Sequence, residues 1–244
     1  MFWLAPQAAL AAPKCDEGRA SAAGVGTPTA GTAWRAGIVT HTPLWDSVPK
    51  RAGKPKDEGK SKAKQSIAPR HASWLLVLRA ARDRKGRCWL RVRLPSRPNS
   101  AAAWVNADRV LLRRTSWRLV VSRRVRTISV YRAGDLRRRF RVVIGAPPTP
   151  TPHGLFSIHG VWRWNPSAFL GSYILPLTAH SDVLQEFGGG DGRVGIHGRG
   201  GSSLLDPLGA ARSHGCIRLA NSAIEWIVRT VGAHGLPGIP VRVR

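Results

Sequence analysis

Ile196-His197-Gly198 and, after the spacer 198 to 212, Ser213-His214-Gly215-Cys216-Ile217-Arg218-Leu219 decide how this 244-residue chain is read. A thiol is a poor nucleophile until it loses its proton, and an imidazole is the side chain suited to accept that proton near neutral pH. Two imidazoles are at hand. His214 lies two residues before Cys216, and in extended chain that spacing puts both side chains on one face, lining the site without an in-line approach to the sulfur. His197 arrives from a separate strand and is the expected general base. Gly215 removes a side chain where a substrate carbonyl must come close. The backbone N–H groups of His214, Gly215 and Cys216 are then expected to face a developing oxyanion. No carboxylate adjoins His197, so its orienting partner is expected to be the Gly198 carbonyl or the Ser213 hydroxyl.

Around this motif the chain reads as turn-rich β structure. Gly 26, Pro 18 and Trp 10 disfavour a helical bundle. Cys88-Trp89-Leu90-Arg91-Val92-Arg93-Leu94 alternates with period two, which places Cys88 with Leu90, Val92 and Leu94 on a buried face as a core thiol. Arg118 to Val121, Thr127 to Tyr131 and Arg141 to Ile144 read as strands, with a tight hairpin turn at Ala133-Gly134-Asp135. Four prolines in 147 to 152 mark an extended loop, and Gly154 to Ile158 resumes as a strand. One helix is expected near the C-terminus, with Ser222 and Glu225 as a capping box, apolar positions at Ile224, Ile227, Val228 and Val231, and Gly232 as its stop. Ile239 to Val243 reads as a closing strand. These textures divide the chain into a possible truncated export signal and linker (1–32), a small β domain with a Lys-rich loop at 50 to 64 (33–112) and a second β domain (113–244).

Lysine and arginine number 39 against 13 acidic residues, a formal charge of +26, which directs attention to polyanionic partners. Residues 113 to 141 hold eleven of the arginines against one aspartate. Much of this charge alternates with apolar residues on sheet faces, and no nucleic-acid-binding motif accompanies it, so a nucleic-acid partner is not expected. No apolar run reaches the length of a spanning helix. Three cysteines, Cys15, Cys88 and Cys216, are too few for a disulfide framework.

With His197, the spacer and Ser213 to Cys216 in place, the sequence resembles the L,D-transpeptidase catalytic domain (YkuD type) of bacterial cell-wall enzymes. Thr151-Pro152-His153-Gly154-Leu155-Phe156 is similar to the Thr-Pro-x-Gly-x-Phe loop of that family, and the likeness covers about residues 115 to 244. It implies a β-sandwich-like catalytic domain in a mainly β protein. It also implies a cysteine acyltransferase without a cofactor, acting in the bacterial envelope on peptidoglycan stem peptides, beside anionic wall polymers. By the resemblance, Cys216 attacks the carbonyl of the third stem residue, usually meso-diaminopimelate, expels D-alanine and leaves a thioester. An amine then resolves it as a 3→3 cross-link, and water would make the enzyme an L,D-carboxypeptidase. Acylation of Cys216 by carbapenems is a further implication. His197 is the base, and His214 with Gly215 belongs to the acyl site. Ser213, Gly198, Arg218, Asn221 and Tyr173 are the expected substrate-binding residues, Arg218 toward a stem carboxylate and Tyr173 toward the oxyanion. Residues 33 to 112 more distantly resemble a bacterial Src-homology-three-like barrel. The competing chemistry is zinc binding by His197, His214 and Cys216 with His180 or His159, which the absence of CxxC or HExxH spacing disfavours.

Overall fold

The computed structural model describes residues 25–49, 66–68 and 74–244. The candidate export signal, Cys15 and the Lys-rich segment lie outside them. Alternation of small and branched apolar residues builds the first sheet from β1 (Ala33–Ile38), β4 (Trp74–Arg82), β5 (Cys88–Arg93), β6 (Ala102–Asn106) and β7 (Val110–Thr115), in the order β6-β5-β4-β1-β7. The two-residue strands β2 (Thr42–Pro43) and β3 (Ser66–Ile67) pair beside it. Its neighbours are all antiparallel. Leu75, Val77, Leu90, Val92 and Val105 fill its core, and Arg91 faces solvent as the period-two pattern requires. Cys88 departs from expectation. It is half-buried against this core, on the expected face, but is disulfide-bonded rather than a free thiol.

The second unit begins at Trp117. Its first sheet runs β10-β9-β8-β18-β12, from β8 (Trp117–Ser122), β9 (Thr127–Arg132), β10 (Asp135–Arg141), β12 (Gly154–Ser157) and β18 (Pro240–Val243). The second runs β13-β14-β15-β17, from β13 (Trp162–Arg163), β14 (Tyr173–His180), β15 (Arg193–His197) and β17 (Ile217–Arg218). A two-stranded ribbon of β11 (Ile144–Gly145) and β16 (Ala211–Ser213) leads into the cysteine motif. Leu175, Leu177, Val194, Ile196 and Ile217 bury one face of the second sheet against Leu119, Val121, Ile128, Val130 and Phe156 of the first. The opposite face of β15 and β17 is left to carry polar chemistry.

Two local expectations change. The hairpin turn is Ala133-Gly134, with Arg132 opposite Asp135, and Gly134 supplies a φ of +100°. Its second arm is Asp135–Arg141, earlier than the expected 141 to 144, and nearly every residue of it is exposed. That strand is a sheet edge, and its arginines repel a second edge from pairing there. The helix α1 (Asn221–Val231) starts one residue before Ser222, with Ala220 as N-cap and no side-chain capping bond, so the capping box does not form. Ile224, Ile227 and Val228 anchor it to the core, and that burial, about 1.5–3 kcal/mol per side chain, outweighs a missing cap. Gly232 ends it at φ +85°.

Candidate active site

β15 and β17 run parallel, with Ile196 beside Ile217 and His197 beside Arg218. This register sets Gly195 next to Cys216. Because side chains alternate along a strand, Ile196 and Ile217 enter the core while His197, Cys216 and Arg218 emerge together on the other face. Cys216 Sγ accepts the Gly195 N–H at 3.5 Å. The thiol is the one free cysteine among the described residues and keeps an exposed edge. Its dense surroundings nevertheless push the thiol pKa up, against the Gly195 hydrogen bond and the Arg218 charge, which favour the thiolate.

His197 is 2% exposed, and its Nδ1 lies 2.8 Å from the Gly198 carbonyl. A carbonyl only accepts, so Nδ1 carries the proton and the lone pair of the neutral ring sits on Nε2. Burial pulls its pKa down to about 4, with the Gly198 and Leu170 carbonyls favouring the protonated ring and Arg218 opposing it. At neutral pH the resting pair is therefore an uncharged thiol and an uncharged imidazole.

The turn that delivers Cys216 is tied on both sides. Ser213 Oγ donates to the Cys216 carbonyl at 2.6 Å and accepts the Gly215 N–H at 3.2 Å. Thr151 Oγ1 accepts the Gly145 N–H at 2.9 Å and donates to the Gly215 carbonyl at 2.8 Å, which fastens the proline-rich loop beneath the turn. Gly215 has φ +116°, and a Cβ there would meet nothing nearer than 3.7 Å. Backbone conformation, rather than lack of room, requires glycine.

Residues 116–243 match the family of the L,D-transpeptidase catalytic domain, YkuD. The chain belongs to the L,D-transpeptidase family. Among solved structures it is similar to a cysteine-to-serine mutant of the Enterococcus faecium L,D-transpeptidase (23% identity, 52% of this chain and 49% of that one, TM-score 0.38). It is also similar to an L,D-transpeptidase from Mycobacterium smegmatis (17%, 64% and 90%, TM-score 0.37). A third is L,D-transpeptidase 3 from Mycobacterium tuberculosis in complex with a faropenem-derived adduct (17%, 65% and 91%, TM-score 0.40). The chain thus spans about half the length of the E. faecium protein. No match is found among curated protein sequences.

Several residues expected to bind substrate occupy other posts in this L,D-transpeptidase domain. Asn221 Oδ1 accepts the N–H groups of Ser172 and Arg199 at 3.1 and 3.0 Å, and its Nδ2 donates to the Pro166 carbonyl at 3.0 Å. The amide is spent on holding the strand end after His197 to the 166 to 172 loop. Gly198 leaves room for that amide: a Cβ would run into Asn221 Oδ1. Tyr173 shares the face of Leu175 and Leu177 and packs on the core, on the side of β14 away from His197. An oxyanion role for it finds no support in this placement. Arg218 is 4% exposed and meets a protein carboxylate, Asp206 Oδ2, at 2.7 Å, with its guanidinium 4.8 Å from the Phe169 ring. The Gly215 N–H already serves Ser213 Oγ, so the backbone donors for an oxyanion reduce to those of His214 and Cys216.

Sequence reasoning missed Asp206, Phe169 and Arg199. Arg199 donates to the carbonyls of Ser203, Leu204 and Asp206 and so shapes the turn that presents Asp206. Phe169 lies 6.4 Å from His197 between ring centroids. No motif marks them: Asp206 and Phe169 meet Arg218 from separate loops, and Arg199 acts through backbone carbonyls of its own turn, which carry no sequence signature. The zinc reading loses its ligands. Among the described residues no group of three His, Cys, Asp or Glu side chains is placed to hold a metal ion, and His180 bonds Asp191 at 3.0 Å instead.

Proposed function

We propose that this protein is a peptidoglycan L,D-transpeptidase that forms 3→3 cross-links through a Cys216 thioester. The observation that carries the reading is the shared face of β15 and β17, which carries both Cys216, beside Gly195, and His197, two positions further along with its Nδ1 turned to the Gly198 carbonyl. His197 Nε2 takes the thiol proton as Sγ attacks the diaminopimelate carbonyl of a tetrapeptide stem. The N–H groups of His214 and Cys216 receive the oxyanion. The D-alanine amine leaves with the proton held by His197, and a thioester remains. The amine of a second stem attacks that thioester, gives its proton to His197, and the thiol is regenerated. Removing one oxyanion donor in an acyl-transfer enzyme typically costs about 2.7–4 kcal/mol of transition-state stabilisation.

Action in the bacterial envelope is supported by membership of the L,D-transpeptidase family, whose peptidoglycan substrate lies outside the cytoplasm. The charge of +26 suits a wall rich in carboxylate and phosphate. No helix among the described residues is long and apolar enough to cross a membrane. The five-stranded antiparallel sheet of the N-terminal unit supports its assignment as a Src-homology-three-like barrel.

The test is intact-protein mass spectrometry of wild type and Cys216→Ala with a carbapenem and then with disaccharide tetrapeptide. One adduct on wild type alone, with D-alanine released and a cross-linked dimer formed, is expected. Release of D-alanine with a tripeptide as sole product would make the enzyme a carboxypeptidase. No adduct and no D-alanine on folded wild type would overturn the acyl-transfer reading.

A further inference from the structure

The segment between β14 and β15 folds back toward the cysteine motif as a hairpin. At its tip Phe187 and Gly190 exchange both backbone hydrogen bonds at 3.0 Å around Gly188-Gly189, whose φ values of +58° and +77° suit a tight turn. The Phe187 ring lies 4.9 Å from that of His214, between centroids, and is half exposed. This hairpin therefore forms a wall of the acyl site, directly over the residue that precedes Gly215 and Cys216.

What holds the hairpin comes largely from the other unit. The loop between β5 and β6 reaches across from the N-terminal sheet. Arg97 Nη1 donates to the Ser181 carbonyl at 2.7 Å, and Nη2 donates to those of Leu184 and Asp191 at 2.9 and 3.1 Å. Asn99 pairs with the His180 backbone in both directions, Nδ2 to the carbonyl at 2.8 Å and Oδ1 from the N–H at 2.7 Å, and reaches Asp182 Oδ1 at 2.7 Å. Gly192 leaves space for the clamp, since a Cβ there would lie 2.8 Å from Arg97 Nη2. Within the hairpin, the His180–Asp191 bond and the Ser181 N–H to Gly192 carbonyl bond at 2.8 Å close its base. A planar guanidinium that satisfies three carbonyls of one loop fixes that loop's shape in a way a flexible ammonium does not.

We propose that Arg97 and Asn99 are positioning residues for acyl transfer: through the 181–192 hairpin they set Phe187 against His214, so that the N-terminal unit completes the acyl site. The inference rests on Cys216 being the acyl-forming nucleophile. Substrate with a side chain along the wall needs Phe187 in place, whereas a small alkylating reagent needs only the sulfur. Loss of the clamp therefore separates the two reactions.

The test compares wild type, Arg97→Ala, Asn99→Ala, Phe187→Ala and the Arg97→Ala/Phe187→Ala pair. Acylation by a carbapenem and alkylation by iodoacetamide are followed at Cys216 by mass spectrometry, with hydrogen exchange over 181–192. Arg97→Ala is expected to slow acylation at least tenfold and to speed exchange at Phe187 to Gly190, while iodoacetamide alkylation changes less than twofold. Phe187→Ala should slow acylation similarly, and the pair should be no slower than either single variant. Unchanged exchange and acylation in Arg97→Ala and Asn99→Ala would overturn the clamp. So would an equal loss in both reactions, which marks general unfolding. A wild type that alkylates but takes no acyl adduct would overturn the nucleophile assignment itself, and is told apart because no variant is needed to see it.

Discussion

Arg218 Nη1 donates to Asp206 Oδ2 at 2.7 Å directly beside the catalytic register, with Arg218 almost wholly buried and its backbone next to that of His197. A buried guanidinium without its carboxylate is costly, because desolvation is no longer offset by the partner. Asp206 retains about a quarter of its side-chain exposure, so water recovers part of that cost.

Asp206→Ala is accordingly expected to destabilise the protein by about 2–4 kcal/mol, measured as a shift of the urea midpoint. Acylation of Cys216 should slow as well, since Arg218 over Phe169 would lose its anchor. A midpoint equal to that of wild type would show that Arg218 is satisfied by other groups.

The pH behaviour follows from His197. Its folded pKa, about 4, lies below the ordinary 6.5, so on acidification the unfolded chain binds the proton first. Stability is undiminished by this group above 6.5, declines as pH falls from 6.5 toward 4, and levels off below 4, a total on the order of 3 kcal/mol. Calorimetric melts across this range should show the decline, and His197→Gln should flatten it.

Reactivity has its own pH signature. Burial raises the Cys216 thiol above its ordinary value of 9.0, so alkylation by iodoacetamide should climb through the alkaline range without an early plateau. A plateau already present at pH 6 would reveal a preformed thiolate–imidazolium pair and refute the neutral resting state.

Gly215→Ala tests the turn. At φ +116° a side chain costs about 1–3 kcal/mol, and relief of that strain must rotate the peptide that presents the Cys216 N–H. The variant is expected to fold with a reduced melting temperature and to acylate at least a hundredfold more slowly. Wild-type acylation rates would remove this peptide from the oxyanion site.

The family and the mainly β fold were legible in the chain. Cys216, His197 and their motif carry residue types whose pairing has few other uses, and period-two alternation from Cys88 to Leu94 located a strand whose interior residues behave as expected. Local rules failed where a side chain found a distant partner. Asn221 suggested substrate binding, but its amide bridges segments some fifty residues apart in sequence. Ser222 and Glu225 had the spacing of a cap, but packing of Ile224 and Ile227 set the helix start.

By itself the sequence determined the family, through the motif that holds His197 and Cys216, and the β character of the chain, because these depend on residue identity and short-range periodicity. Tertiary structure alone decided that Arg218 is held by Asp206, that Tyr173 faces the core and that the N-terminal unit grips the hairpin over His214. Each of these depends on strand register and on contacts between elements far apart in the chain, where burial and hydrogen-bond satisfaction, not neighbouring residues, select the partner.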